Sequence, residues 1–177
     1  SNKAANFGDT VAEYEDGTLN AKGKKVVVIG GGDTAMDCVR TAIRQGAESV
    51  KCLYRRDRAN MPGSQRETQN AEEEGVEFFF LAAPTKFIGN DQGRVVGMEC
   101  LKMELGEPDD SGRRRPIAIE GSEFHMDTDL VIVAVGSGAN PLLTQSTPDM
   151  QLNKWGYIEA NLETGKTTKK GVWAGGD

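Results

Sequence analysis

Lys25-Val26-Val27-Val28-Ile29-Gly30-Gly31-Gly32-Asp33-Thr34-Ala35 is a run of apolar strand formers that breaks into three glycines and restarts as a helix. A strand that is apolar on both faces belongs in the middle of a parallel sheet. Gly30 allows the tight turn, Gly32 has no Cβ and lets backbone approach a ligand, and small Ala35 lets the new helix lie close to the strand. Gly31 completes the turn, and Asp33 and Thr34 open the helix, whose unpaired N–H groups form the positive end that attracts a diphosphate. The spacing Gly30-x-Gly32-x-x-Ala35, with a strand before it and a helix after it, therefore reads as a dinucleotide cradle. The competing reading is an ordinary strand-to-helix turn.

Working outward, the next strand, expected over 49–54, ends in Tyr54-Arg55-Arg56-Asp57-Arg58. A fold of this kind that binds NAD places an acid there to accept from the ribose 2′-hydroxyl. An acid would repel a 2′-phosphate, whereas guanidiniums attract it and grip it with paired hydrogen bonds. Arg55 and Arg56 thus point to NADP(H) over NAD(H). A solvated basic loop is the alternative, and Asp57 could pair with a neighbouring arginine and withhold it.

Periodicity extends the pattern on both sides. A helix is expected over 34–45, stopped by Gly46, and a second over 65–74, with Ser64-x-x-Glu67 as a capping box and Gly75 as its stop. A strand over 76–81 completes a βαβαβ unit. Segments 85–88, 94–104 and 116–125 then alternate polar and apolar residues, separated by Gly89-Asn90-Asp91-Gln92-Gly93 and by Asp109-Asp110-Ser111-Gly112 with Arg113-Arg114-Arg115. They read as a three-stranded antiparallel meander in place of a crossover helix, with the arginine run in an exposed turn. Leu130-Val131-Ile132-Val133-Ala134-Val135 returns as a fully buried strand, and its end, Ala134, Val135 and Gly136, is expected beside Gly30 as part of the ligand site. The fold class is α/β: a Rossmann-like parallel sheet with an antiparallel three-stranded β-meander. Residues 1–22 carry a short amphipathic stretch near 9–14 and no recognisable chemistry.

Composition agrees. The chain has 177 residues, 37% of them hydrophobic, enough for a core, and 27 acidic against 21 basic side chains give a net charge of −6. That balance argues against a nucleic-acid or anionic-membrane partner. No apolar run approaches the roughly 20 residues a bilayer demands and no signal-peptide pattern is seen, which points to the cytoplasm. Cys38, Cys52 and Cys100 are far apart and form no Cys-x-x-Cys pair, so reduced, buried thiols are expected and an iron–sulfur cluster within the chain is not.

The motifs also carry a resemblance. Val28-Ile29-Gly30-Gly31-Gly32-Asp33-Thr34-Ala35-Met36-Asp37-Cys38-Val39-Arg40-Thr41-Ala42, Leu53-Tyr54-Arg55-Arg56-Asp57-Arg58-Ala59-Asn60-Met61-Pro62-Gly63-Ser64, Glu73-Glu74-Gly75-Val76-Glu77-Phe78, Asp129–Gly136 and the closing Gly171-Val172-Trp173-Ala174-Gly175-Gly176-Asp177 resemble the NADPH-binding region of the glutamate synthase small (β) subunit, within the two-dinucleotide-domain flavoprotein reductases. The resemblance implies that residues 1–22 connect from an FAD domain, 23–143 form the NADPH-binding domain, and 144–177 are a truncated return into the FAD domain. It implies that Asp177 contacts FAD, and that hydride passes from NADPH to FAD. It further implies that electrons then travel through iron–sulfur clusters outside this chain to a large glutamate synthase subunit. The family's first FAD glycine motif is absent here, so the isolated chain is expected to bind NADPH and to lack a complete flavin site. The cofactors do such chemistry, and no acid, base, nucleophile or metal ligand is assigned. The alternative is a non-catalytic NADP-binding sensor or interaction module, which has no need of the Asp177 motif.

Other residues read as structural. His125 lacks neighbours at ligand spacing. Tyr14, Tyr54 and Tyr157 lack a lysine four residues on. Trp155-Gly156-Tyr157 reads as a hairpin, and Trp173 as packed in a final strand.

Overall fold

A computed structural model describes residues 17, 19–109, 112, 114–136 and 138–175, so the expectations for 9–16 and for Asp177 lie outside the described residues. The chain divides into two compact units, the first ending at Val135 and the second beginning at Gly136.

In chain order the first unit runs β1 (Lys25–Ile29), α1 (Asp33–Arg44), β2 (Ser49–Tyr54), a 3-10 turn (Arg58–Asn60), α2 (Gln65–Glu73), β3 (Glu77–Phe80), β4 (Ala82–Gly89), β5 (Val95–Pro108), β6 (Arg114–Ala118), β7 (Phe124–Asp127) and β8 (Leu130–Val133). The expected strands and helices of the βαβαβ half are there. They form a parallel sheet in the order β3-β2-β1-β8, with Val28 paired to Cys52 on one side and to Ile132 on the other. The chain leaves β1 in one direction toward β2 and reaches β8 in the other, so the crevice at the ends of β1 and β8 is the topological switch point at which such sheets take ligands.

Strand alternation divides the core in two. Val26 and Val28 face α1 with Ala35, Met36, Val39, Ala42, Val50 and Cys52. Val27 and Leu53 point to the opposite face, with Ala82, Met98, Cys100 and Met126 of the antiparallel sheet. The antiparallel sheet thus covers the face that a helix covers in a doubly wound fold. Each fully buried Met or Leu here, Met36, Leu53 and Met98 among them, contributes about 1.5–3 kcal/mol of apolar burial.

Several expectations change in detail. The segment read as one strand over 116–125 is two, β6 and β7, both antiparallel to the 14-residue β5: β7 lies against Gly97–Cys100 and β6 against Met103–Pro108. The break is a turn at Gly121, with φ +73°, where Ser122 Oγ donates to the Ile119 carbonyl at 2.5 Å and accepts from Lys102 N–H at 3.0 Å. Arg114 and Arg115, read as a turn, belong to β6, and Arg114 donates to the Gly106 and Leu105 carbonyls at 2.8 Å. β8 is not fully buried: among the described residues it pairs only with β1, at the sheet edge, and Val133 and Val135 are each 59% exposed. The capping box is not formed, because Glu67 turns to Arg40 of α1 and the Ser64 side chain caps nothing.

The second unit has little regular structure. Its helix α3 (Pro141–Gln145) starts with proline after Asn140, whose Oδ1 accepts the Leu142 N–H at 3.0 Å. Three isolated bridges, Leu152 with Ile158, Ala160 with Thr167 and Lys166 with Trp173, carry the rest. The Trp155–Tyr157 turn is a hairpin, closed by Asn153 N–H donating to the Tyr157 carbonyl at 2.8 Å. Trp173, expected to be packed, is 61% exposed.

Candidate functional site

The glycine turn follows β1, and the chain's own atoms dictate two of its three glycines. Gly30 has φ +147°, and a Cβ there would lie 2.2 Å from the Ala134 carbonyl oxygen. Ala134 N–H in turn donates to the Ile29 carbonyl at 2.8 Å, so the end of β8 sits beside Gly30 as the sequence implied. Ala35 is fully buried, 3.4 Å from where a Gly30 Cβ would stand, which is why a small residue is needed there. At Gly31 a Cβ would collide with the Tyr54 ring at 2.6 Å. Gly32 is different. Its backbone is extended (φ −90°, ψ 177°), open to any residue, and none of the described residues comes within 4 Å of where its Cβ would be.

Gly32 is the N-cap of α1, a position where Ser, Thr, Asn or Asp would serve the helix better. No side chain caps the turn. Ala35 and Met36 N–H both donate to the Gly32 carbonyl. The N–H groups ahead of them, on Asp33 and Thr34, have no partner among the described residues, as the first turn of a helix leaves them. The result is a bare, positively polarised helix start beside an empty space.

A loop from the end of β2 bounds this space. Tyr54 OH donates to the Asn60 carbonyl at 2.8 Å. Arg55 is exposed and makes no hydrogen bond or ion pair with the described residues. Arg56 is only 9% exposed: its Nη2 donates to Asn60 Oδ1, and its Nε is buried without a partner. Asp57, which could have paired with an arginine, instead caps the 3-10 turn, accepting from Asn60 N–H at 3.0 Å and Asn60 Nδ2 at 2.6 Å. The arginine that is taken is Arg58, gripped by both carboxylate oxygens of Glu72. That pair raises the Arg58 pKa and holds Glu72 below the usual carboxylate range. Between α1 and α2, hydrogen bonds from Arg44 and then Arg40 hold Glu74 low in the same way.

Sequence reasoning missed Tyr54 as the wall against Gly31, Asn60 as the acceptor for Arg56, and Gly63. A Cβ at Gly63 would come within 2.9 Å of the Gly31 carbonyl oxygen, to which the Gly63 N–H donates at 2.9 Å. The Pro62-Gly63 dipeptide was the available signal. Of the remaining candidates, Val135 is exposed, Gly136 opens the second unit, and Asp177 is not among the described residues. Outside the site, His125 is exposed, with Nε2 3.0 Å from Asp127 Oδ1. Cys38, Cys52 and Cys100 are free thiols, and burial pushes Cys52 up to about 12. Among the described residues no helix is long and apolar enough to cross a membrane.

A parallel sheet opening at β1 and β8 over a bare helix start is the architecture of a dinucleotide-binding domain. The model of the pyridine nucleotide-disulphide oxidoreductase family matches residues 1–177, and the chain belongs to that family. It is 55% identical over 178 residues to the glutamate synthase (NADPH) small chain of Azospirillum brasilense, covering 100% of this chain and 36% of that one. It is 44% identical over 174 residues to the glutamate synthase (NADPH) small chain of Escherichia coli, covering 97% and 36%. The resemblance seen in the motifs holds, and the chain spans little more than a third of the length of these relatives. The crystal structure of T. acidophilum thioredoxin reductase shares the fold, with a TM-score of 0.69 at 22% identity over 93% of this chain and 47% of that one.

Proposed function

We propose that this chain is the NADPH-binding part of an FAD-dependent oxidoreductase of the glutamate synthase small-chain kind, working in the cytoplasm and delivering electrons to a large subunit that makes glutamate. Gly32 carries the proposal. Every other glycine of the turn is explained by a neighbouring protein atom, whereas Gly32 keeps clear a space that no atom of the described residues fills. A diphosphate fits it: the unpaired N–H groups of Asp33 and Thr34 and the dipole of α1 offer donors and positive potential without a side chain in the way. Gly30, Gly31 and Ala35 shape the turn, Ala134 flanks it, and Val135, next along the chain, is assigned to the nucleotide with it.

Arg55 is the exposed cation for a 2′-phosphate, and Arg56, its Nη2 held by Asn60, stands next to it in the chain. The family resemblance assigns Gly136 to the nucleotide and Asp177 to FAD. When bound, NADPH supplies a hydride that FAD accepts. This chain's residues bind and orient, and none of them is asked to move a proton.

Titration calorimetry on the 177-residue chain tests the reading. NADPH should bind more tightly than NADH, and Arg55→Ala should narrow the gap by about 1.5–3 kcal/mol, the range for a hydrogen bond to a charged group. Gly32→Val should remove binding of both nucleotides while circular dichroism stays unchanged, because the extended backbone accepts valine. A folded Gly32→Val protein that still binds NADPH normally would overturn the assignment.

A further inference from the structure

Two adjacent N–H groups tie the arginine loop to the glycine turn. Gly63 N–H donates to the Gly31 carbonyl at 2.9 Å, and Ser64 N–H donates to the Asp33 carboxylate at 2.8 Å. Gly63 can approach so closely only because it has no Cβ. Ser64 is the N-cap of α2, and in a capping box its N–H would be satisfied by Glu67, three residues on. Glu67 is engaged with Arg40, so Asp33, the first residue of α1, supplies that acceptor from another helix. The start of α2 and the start of α1 are thereby fixed to each other, and the chain between Tyr54 and Ser64 is pinned at both ends: Tyr54 against Gly31, Ser64 against Asp33. Within it, Asp57 holds Asn60 and Asn60 holds Arg56.

Asp33 lies beside the space proposed for the diphosphate, where its charge would be a poor ligand. A carboxylate accepts hydrogen bonds but cannot donate them to phosphate oxygens, and like charges repel. From this geometry we infer that Asp33 is a positioning residue: its carboxylate latches the arginine loop to the glycine turn and, with Gly63, sets how strongly the site distinguishes a 2′-phosphate. The inference rests on the proposed NADPH reading and adds a residue whose side chain acts through the loop and makes no nucleotide contact.

The experiment compares NADPH and NADH binding to the full chain and to Asp33→Ala, Asp33→Asn and Gly63→Ala, with amide exchange at Gly63 and Ser64 followed by NMR. Asp33→Ala should weaken NADPH about fivefold, the loss of one modest hydrogen bond, and leave NADH within about twofold, while exchange at Gly63 and Ser64 accelerates. Asp33→Asn keeps an acceptor for Ser64 N–H and should restore both the preference and the slow exchange. Gly63→Ala, which presses a methyl on the Gly31 carbonyl, should change the preference in the same direction as Asp33→Ala. The inference is overturned if Asp33→Ala weakens both nucleotides alike. It is also overturned if Asp33→Asn tightens both, for then the charge acts on the nucleotide directly. An unmodified chain that binds NADPH and NADH equally, with exchange still faster in Asp33→Ala, would leave the latch in place and defeat the NADPH reading together with the role in discrimination.

Discussion

The two units of this chain are held together by different means. In the first, side chains from β1, β2 and α1 disappear into two apolar clusters, and Val28, Ala35, Met36, Val39 and Cys52 have no exposed surface. In the second, Met150 is the one apolar side chain buried among the described residues, while Leu142, Leu143, Trp155, Leu162 and Trp173 are all more than half exposed. Its shape comes from short polar turns. Asn153 Oδ1 accepts the Trp155 and Tyr157 N–H groups, and Asn161 Oδ1 accepts the Glu163 and Thr164 N–H groups and the Thr164 hydroxyl. A core of long-range contacts resists local change until it fails as a whole, whereas a turn held by its own asparagine fails alone.

Four substitutions press on that contrast. The largest effect should come from Gly30→Ala. A methyl 2.2 Å from the Ala134 carbonyl, on a backbone at φ +147°, forces β1 and β8 apart, and a loss of about 4 kcal/mol or more is expected in urea unfolding. Next, Leu53→Ala should cost about 3 kcal/mol by emptying part of the second core, while Leu162→Ala, at a fully exposed position, should stay within about 0.5 kcal/mol. Equal costs for the two leucines would erase the distinction between the units. Of the substitutions that remove a contact, Asn161→Ala should cost least, at about 1 kcal/mol. It should appear as faster amide exchange over 163–167 with no change in β1 or β2, and a matching loss in the strands would mean that the two units unfold together.

What could be read from the sequence follows the same line. β1, the glycine turn, α1 and β2 were legible because each rests on contiguous residues with strong local preference, and the meeting of Gly30 with Ala134 followed from the strand order of a dinucleotide-binding sheet. The misreadings came where a distant residue outbid a local one. Ser64 and Glu67 carry the letters of a capping box, but Arg40, 27 positions away from Glu67, takes the carboxylate. Asp57 stands among arginines, yet Asn60 occupies it and Glu72 takes Arg58. The burial of β8 was overestimated because a run of apolar residues does not say whether a strand has one neighbour or two. Gly121 was passed over because the residues on either side of it keep alternating.

The two buried thiols carry a separate consequence. Cys52 lies in the cluster under α1 and Cys100 in the cluster under the antiparallel sheet, and burial pushes them up to about 12 and about 11. At neutral pH neither is a nucleophile while its own layer is closed. Cys38, on α1, is the least buried of the three. An alkylating reagent left with the native protein therefore marks Cys38 first, and afterwards each further label records the moment at which one particular face of the parallel sheet let water in.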